Sequence, residues 1–170
     1  FFGELSSINP VCLLPGALAT RAEAIADGLA ASVTLGCGQF CTNPGLILYI
    51  AGSPGADGMI ERLKERLHAT AAAPMLNLPT RRSYGEGLSR IGRTTGVETL
   101  LAATEESAYT FADPALFRCP SAVFRSQPLL HEEIFGPATL LVACRDLADM
   151  TATIAALEGQ LTAYRSSGRR

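Results

Sequence analysis

Cys41 is the residue in this sequence whose type and surroundings best suit covalent chemistry. It lies in a turn-rich segment with the sequence Gly36-Cys37-Gly38-Gln39-Phe40-Cys41-Thr42-Asn43-Pro44-Gly45. Loops expose reactive groups, and glycines on both sides of Cys41 allow a ligand to approach the backbone closely. The pattern therefore predicts that Cys41 is a nucleophile. The alternative for any single cysteine is the role of a small, buried apolar residue. That role suits the remaining four: Cys12, Cys37, Cys119 and Cys144.

Glu4 is the candidate for the proton-moving group that a cysteine nucleophile requires. It is the only charged side chain between Phe1 and Thr20, so burial of that stretch would leave an isolated carboxyl group suited to general-base work. The alternative is a solvated carboxylate near a chain end.

The composition of the 170 residues excludes several classes of function. A formal charge of −2 without a basic run argues against binding nucleic acid through its phosphates. No apolar stretch approaches the length needed to span a membrane. Neither His68 nor His131 has a partner at metal-ligand spacing, and we expect no metal. Five cysteines without a Cys-x-x-Cys pair suggest a reduced, cytoplasmic protein.

The elements that must position these residues alternate between strands and helices. Apolar runs bounded by turn residues predict strands over 11–14, 46–50 and 138–144, with shorter ones over 98–103, 108–112 and 121–125. Apolar residues at spacings of three and four predict helices over 21–34, 56–72, 83–92 and 147–157. A helix that crosses between successive strands favours parallel pairing, so we expect one α/β domain with a parallel sheet covered by helices on both faces.

Three motifs in this order resemble those of the aldehyde dehydrogenases. Phe2-Gly3-Glu4-Leu5-Ser6-Ser7-Ile8-Asn9-Pro10 is similar to the glutamate motif of that family, and Gly38-Gln39-Phe40-Cys41-Thr42-Asn43-Pro44-Gly45-Leu46 to its cysteine motif. Glu132-Glu133-Ile134-Phe135-Gly136-Pro137 is similar to its third signature. The sequence of this cysteine motif looks most like that of the branch that oxidises ketoglutaric semialdehyde (2,5-dioxopentanoate) or fatty aldehydes.

The resemblance implies a role for each motif. Cys41 would form a thiohemiacetal with an aldehyde and then a thioester, and Glu4 would activate the water that releases the carboxylate. Glu133, Phe135 and Leu5 would contact the cofactor, while Phe40 and Thr42 would line the aldehyde entrance. The cofactor of the complete enzyme would be NAD or NADP, which we do not expect this chain to bind tightly alone.

The resemblance covers residues 1–164, the catalytic domain of the family in its three-layer α/β/α form, and leaves 165–170 as a flexible tail. It implies three partners: a small aldehyde, a nucleotide-binding domain outside this sequence and, in the complete enzyme, further copies of the chain. Two other functions remain open. The domain could be a catalytically silent structural or assembly fragment, or it could hydrolyse esters at Cys41 without a cofactor.

Overall fold

A computed structural model describes residues 6–103 and 110–167. Its strands are β1 (Pro10–Leu13), β2 (Leu46–Ile50), β3 (Ala73–Pro74), β4 (Glu98–Leu101), β5 (Phe111–Ala112), β6 (Ala115–Pro120), β7 (Ala138–Cys144) and β8 (Tyr164–Ser166). Its α-helices are α1 (Pro15–Thr34), α2 (Ala56–His68), α3 (Leu78–Gly92), α4 (Ser121–Ser126) and α5 (Leu147–Ala155). Short 3₁₀ turns cover Leu35–Gly38 and Pro128–His131.

The main sheet has six strands in the order β4-β6-β7-β2-β1-β8. Every neighbouring pair in it is parallel except β4 and β6, which are antiparallel. Strands β3 and β5 form a separate antiparallel pair. The three-layer α/β/α architecture predicted from the sequence is confirmed.

The central strands are apolar along their whole length because helices cover both faces of the sheet. Ile47 and Tyr49 of β2 pack with α1 and α2 on one face, whereas Leu46 and Leu48 pack toward α3, α4 and α5 on the other. All four side chains are buried. This is why β2 reads as a continuous Leu-Ile-Leu-Tyr-Ile run rather than as an alternating pattern.

The prediction of a strand over 121–125 is wrong. Residues Ser121–Ser126 form α4, and the strand is the preceding run, Ala115–Pro120, which lies beside β7 in the sheet. Two short apolar runs flank Pro120, and their local patterns are alike. Pairing with β7 decides which of them becomes the strand, and Pro120, with no N–H to donate, ends it.

The prediction of a flexible tail over 165–170 is wrong for its first residues. Arg165 and Ser166 belong to β8, which pairs with β1. The Leu14 N–H donates to the backbone carbonyl of Ser166 at 3.1 Å. The Arg21 guanidinium donates to the hydroxyl of Ser166 at 3.1 Å and to the carbonyl of Ser167 at 2.8 Å. Residues 168–170 lie outside the described part of the chain.

The sheet brings the three sequence motifs to one end of the molecule. The segment that contains Ser7–Asn9 leads into β1, the Cys41 loop leads into β2, and Glu133–Pro137 lead into β7. Because β7, β2 and β1 are adjacent and parallel, their amino ends lie side by side. Segments that are far apart in sequence therefore meet above the centre of the sheet.

Within 6–103 and 110–167, no helix is both long enough and apolar enough to cross a membrane.

Candidate active site

Cys41 lies at the exposed corner of a tight turn. The Asn43 N–H donates to the Phe40 carbonyl at 3.0 Å, which closes a four-residue turn with Cys41 and Thr42 at its tip. Phe40 is 47% exposed, and Thr42 is exposed on the other side of the thiol. Within the described residues the backbone N–H of Cys41 has no hydrogen-bond acceptor.

The chain reaches this turn through three consecutive left-handed residues. Gly36, Cys37 and Gly38 have φ values of 56°, 57° and 65°. Glycine adopts such angles without strain, whereas Cys37 does so at a cost of about 1 kcal/mol. The side chain of Cys37 is buried, and its thiol contacts the Ala73 carbonyl at 3.2 Å.

Gly38 lets the cysteine loop touch the third motif directly. A β-carbon added at Gly38 would lie 2.2 Å from the carbonyl carbon of Gly136. One at Gly136 would lie 2.3 Å from the ring of Tyr84, which is fully buried beneath it. The two glycines therefore allow a separation between loop, motif and ring that side chains would prevent. Desolvation raises the pKa of Tyr84, whose hydroxyl donates to the Asp113 carbonyl at 2.8 Å.

Two amide side chains hold the cysteine loop to its surroundings. Gln39 donates to the Gly36 carbonyl at 3.0 Å and accepts from the Leu76 N–H at 2.8 Å. Asn43 is buried and donates to the Gly136 carbonyl at 3.0 Å. The loop is thus tied both to the segment before α3 and to the third motif.

Glu133 and Phe135 belong to the third motif, which meets the cysteine loop at Gly136. The Glu133 carboxylate is half-buried and accepts from the Ser7 N–H at 3.4 Å. Phe135 is 40% exposed. The structure therefore joins the third motif to the glutamate motif through Glu133 and to the cysteine loop through Gly136.

The glutamate motif is described only from Ser6 onward, so Glu4 and Leu5 lie outside the described residues. The residues that follow them do reach the cysteine loop, because Asn9 donates from its side chain to the Cys41 carbonyl at 2.9 Å. Sequence reasoning did not single out Asn9. The available signal was an amide residue in the otherwise apolar stretch that leads into β1.

A cavity of about 30 Å³, roughly the room for one water molecule, lies where the three motifs meet. Ser7, Asn43 and Glu133 are among its lining residues. The Oδ1 atom of Asn43 is buried and has no hydrogen-bond partner among the described residues. Thr42 borders a larger groove, of about 440 Å³, between α1 and β8.

The other thiols differ from Cys41 in exposure. Cys37, Cys119 and Cys144 are buried, and Cys12 is half-buried. Desolvation raises the pKa of Cys119 to about 12 and that of Cys144 to about 11, and it also raises the pKa values of Cys12 and Cys37. Cys41 is therefore the thiol best placed to meet a ligand. In the part of the chain that the structure describes, no cluster of His, Cys, Asp or Glu could hold a metal ion.

Comparison with solved structures shows which proteins share this fold. An NAD-dependent aldehyde dehydrogenase from Sinorhizobium meliloti matches 98% of the chain with a TM-score of 0.81 and 23% identity. A γ-glutamyl-γ-aminobutyraldehyde dehydrogenase from Burkholderia cenocepacia matches 98% with a TM-score of 0.81 and 18% identity. In each case the match covers 34% of the solved chain. The fold is that of one part of the aldehyde dehydrogenases, as the resemblance of the motifs predicted.

Sequence comparison adds two particular relatives. The chain is 42% identical over 162 residues to α-ketoglutaric semialdehyde dehydrogenase 2 from Azospirillum brasilense, and 37% identical over 164 residues to α-ketoglutaric semialdehyde dehydrogenase from Acinetobacter baylyi. These matches span 95% and 96% of this chain but 31% of each relative, so the chain corresponds to about a third of their length. No protein-family model matches the chain.

Proposed function

We propose that this chain carries the nucleophile of an enzyme that oxidises an aldehyde, of the semialdehyde class, to a carboxylate. The observation that carries the proposal is the position of Cys41, exposed at a turn whose neighbours are hydrogen-bonded to both other motifs. The relatives named for α-ketoglutaric semialdehyde support the choice of substrate class.

The chemistry begins with the thiol of Cys41. Its sulfur attacks the aldehyde carbon, the carbonyl π electrons move to oxygen, and the backbone N–H of Cys41 donates to that oxygen. The thiol proton passes to a base, the role we assign to Glu4, which releases it to solvent, and the product is the thiohemiacetal as its oxyanion. Oxidation of this adduct to the thioester requires a hydride acceptor, which is the chemistry that NAD or NADP supplies when bound. Water activated by Glu4 then cleaves the thioester, releasing the carboxylate and restoring the thiol.

The described residues fit the ribose end of such a cofactor. The Glu133 carboxylate is an acceptor with several lone-pair sites, as hydroxyl recognition requires, and the residue is half-buried. Phe135 presents a partly exposed ring in the same segment. We assign Glu133 to the ribose hydroxyls and Phe135 to packing beside them. We assign Leu5 to a contact with the cofactor.

Phe40 and Thr42 would line the path of the aldehyde. They flank Cys41 in sequence, and both are exposed at the tip of the turn. Their exposure in this chain leaves room for a substrate to reach the sulfur from outside the fold. The five free thiols suit the reducing conditions of the cytoplasm, where we place the protein.

Acylation of Cys41 by p-nitrophenyl acetate tests the proposal on the chain itself. The sulfur attacks the ester carbonyl and p-nitrophenolate leaves, so the step needs no cofactor. We expect a burst approaching one equivalent of p-nitrophenolate and one acetyl group on Cys41 by peptide mass. The burst is lost in Cys41→Ala and kept in the matched variant Cys12→Ala.

The same experiment separates the alternatives. Continued release of p-nitrophenolate after the burst would show that the chain completes ester hydrolysis alone. Absence of any acyl group on Cys41 would contradict the proposal and favour a silent structural fragment.

A further inference from the structure

Asn9 is a buried polar residue with a left-handed backbone conformation. It lies in the glutamate motif immediately before β1, is 3% exposed, and has a φ of 46°. Asparagine tolerates this left-handed conformation better than most residues, because its short amide can bond to nearby backbone. Burial of an amide nevertheless costs free energy unless each of its polar atoms finds a partner.

The side-chain nitrogen of Asn9 is bonded to the cysteine turn. It donates to the Cys41 carbonyl at 2.9 Å and to the Asn43 carbonyl at 3.0 Å. These two carbonyls bracket the tip of the turn. One NH₂ group thus fixes the backbone on both sides of Thr42 and directly behind the nucleophile.

The side-chain oxygen of Asn9 is bonded to a segment about 150 residues away in sequence. It accepts from the Thr162 N–H at 3.1 Å and from the Thr162 hydroxyl at 2.8 Å, and also from the Ser7 hydroxyl at 2.8 Å. Chemistry fixes the orientation of this amide, because a flipped group would set its oxygen against the carbonyls of Cys41 and Asn43.

Gln160 bonds to the backbone of the segment that contains Asn9. Its side-chain oxygen accepts from the Ile8 N–H at 2.7 Å and from the Asn9 N–H at 3.2 Å. Asn9 is therefore fixed at its backbone by Gln160 and at its side-chain oxygen by Thr162. Its NH₂ group becomes a rigid support for the turn.

We propose that Asn9, anchored by Gln160 and Thr162, is a positioning residue that sets the backbone of Cys41 for acyl transfer. The role rests on the proposed function, since it concerns the same thiol. The reacting carbon must meet the sulfur while its oxygen meets the Cys41 N–H, and both depend on the orientation of this one peptide. Alkylation by iodoacetamide forms no oxyanion and does not need that alignment.

Two rates measured on the 170-residue chain test this role. We expect Asn9→Asp, which places oxygen against the two carbonyls, to lower the rate of acetylation of Cys41 by p-nitrophenyl acetate about 10- to 100-fold. Alkylation of Cys41 by iodoacetamide should change less than about threefold, since the sulfur stays exposed. Asn77→Asp is the matched control, because Asn77 is an exposed cap of α3 where aspartate caps equally well. Equal effects of Asn9→Asp on both rates, or none on either, would overturn the proposal.

Hydrogen exchange gives a second readout that needs no activity. The N–H groups of Asn43 and Gly45 are bonded within the turn, and we expect their protection to fall in Asn9→Asp and to persist in Asn77→Asp. Unchanged protection would refute the positioning role. Wild-type chain that takes no acetyl group would instead refute the proposed function, and exchange would still decide the role of Asn9.

A variant of Gln160 keeps the test valid if Asn9→Asp does not fold. The Gln160 side-chain oxygen accepts from the backbone N–H groups of Ile8 and Asn9, and alanine at this position removes both bonds. Gln160→Ala should slow acetylation and loosen the turn in the same sense as Asn9→Asp. A Gln160→Ala chain with unchanged values would contradict the anchored support.

Discussion

Limited alkylation with iodoacetamide should mark Cys41 before any other thiol of the chain. The reagent reacts with thiolates, so both ionisation and access set the rate. At pH 7.5 a pKa of about 12 leaves Cys119 roughly 3 × 10⁻⁵ ionised, and a pKa of about 11 leaves Cys144 roughly 3 × 10⁻⁴ ionised. A cysteine in an unfolded peptide is about one-tenth thiolate at this pH.

Ionisation alone therefore separates Cys144 from an unfolded thiol by a factor of about 300, and burial of the sulfur adds to this. Burial also raises the pKa values of Cys12 and Cys37. Cys41 is the exposed thiol. The assay is intact mass against time, followed by peptide mapping of the singly modified species. A chain in which Cys41 reacts no faster than Cys12 or Cys144 would refute the reasoning, because the turn would then not be formed as described. Complete unfolding in urea should bring all five rates together, which provides the internal reference.

Two further predictions concern stability. Gly38→Ala should destabilise the chain by about 3 kcal/mol, since its β-carbon would meet Gly136 backbone at a positive φ, whereas Gly58→Ala, at an open position in α2, should stabilise it by up to about 1 kcal/mol. Urea unfolding checks both, and similar effects would contradict the proposed contact. Asp149 is buried and bonded to Arg125, Arg145 and Ser121, which hold its pKa below the usual range. Its folded-state pKa is lowered, so its contribution is full above about pH 4 and is lost as the pH falls further. The stability difference between wild type and Asp149→Asn should therefore be constant from pH 5 to 7 and shrink below pH 4; a difference still constant at pH 3 would exclude this linkage.

Much of the fold could be predicted from the chain because its central strands carry unbroken apolar runs. The bounds 46–50 and 138–144 agree with β2 and β7. The region around Pro120 could not be assigned in this way, because the strand there is chosen by its neighbour β7 rather than by its own pattern. The same reason applies to β8, whose polar Tyr-Arg-Ser sequence becomes a strand by pairing with β1.

The site shows a similar division. The three motifs name Cys41 and Glu133, and the structure places both at the amino ends of neighbouring parallel strands. The general rule for open α/β sheets places a ligand at the carboxyl ends, so the motifs and that rule predict opposite edges of the sheet. Sequence reasoning did not identify the pairing of Asn9 with Gln160, because it joins residues about 150 positions apart.

The hydrogen bonds that join Ser7–Asn9 to Gln160–Thr162 also bear on how the chain folds. They connect the first and last described segments, and the cysteine turn depends on them through Asn9. Contacts of such long sequence separation carry a large loop-closure cost and form late unless other structure brings them together. During synthesis, a chain that has not yet reached Thr162 lacks the anchors of Asn9. The arrival of structure around Cys41 would therefore mark the end of folding rather than its beginning.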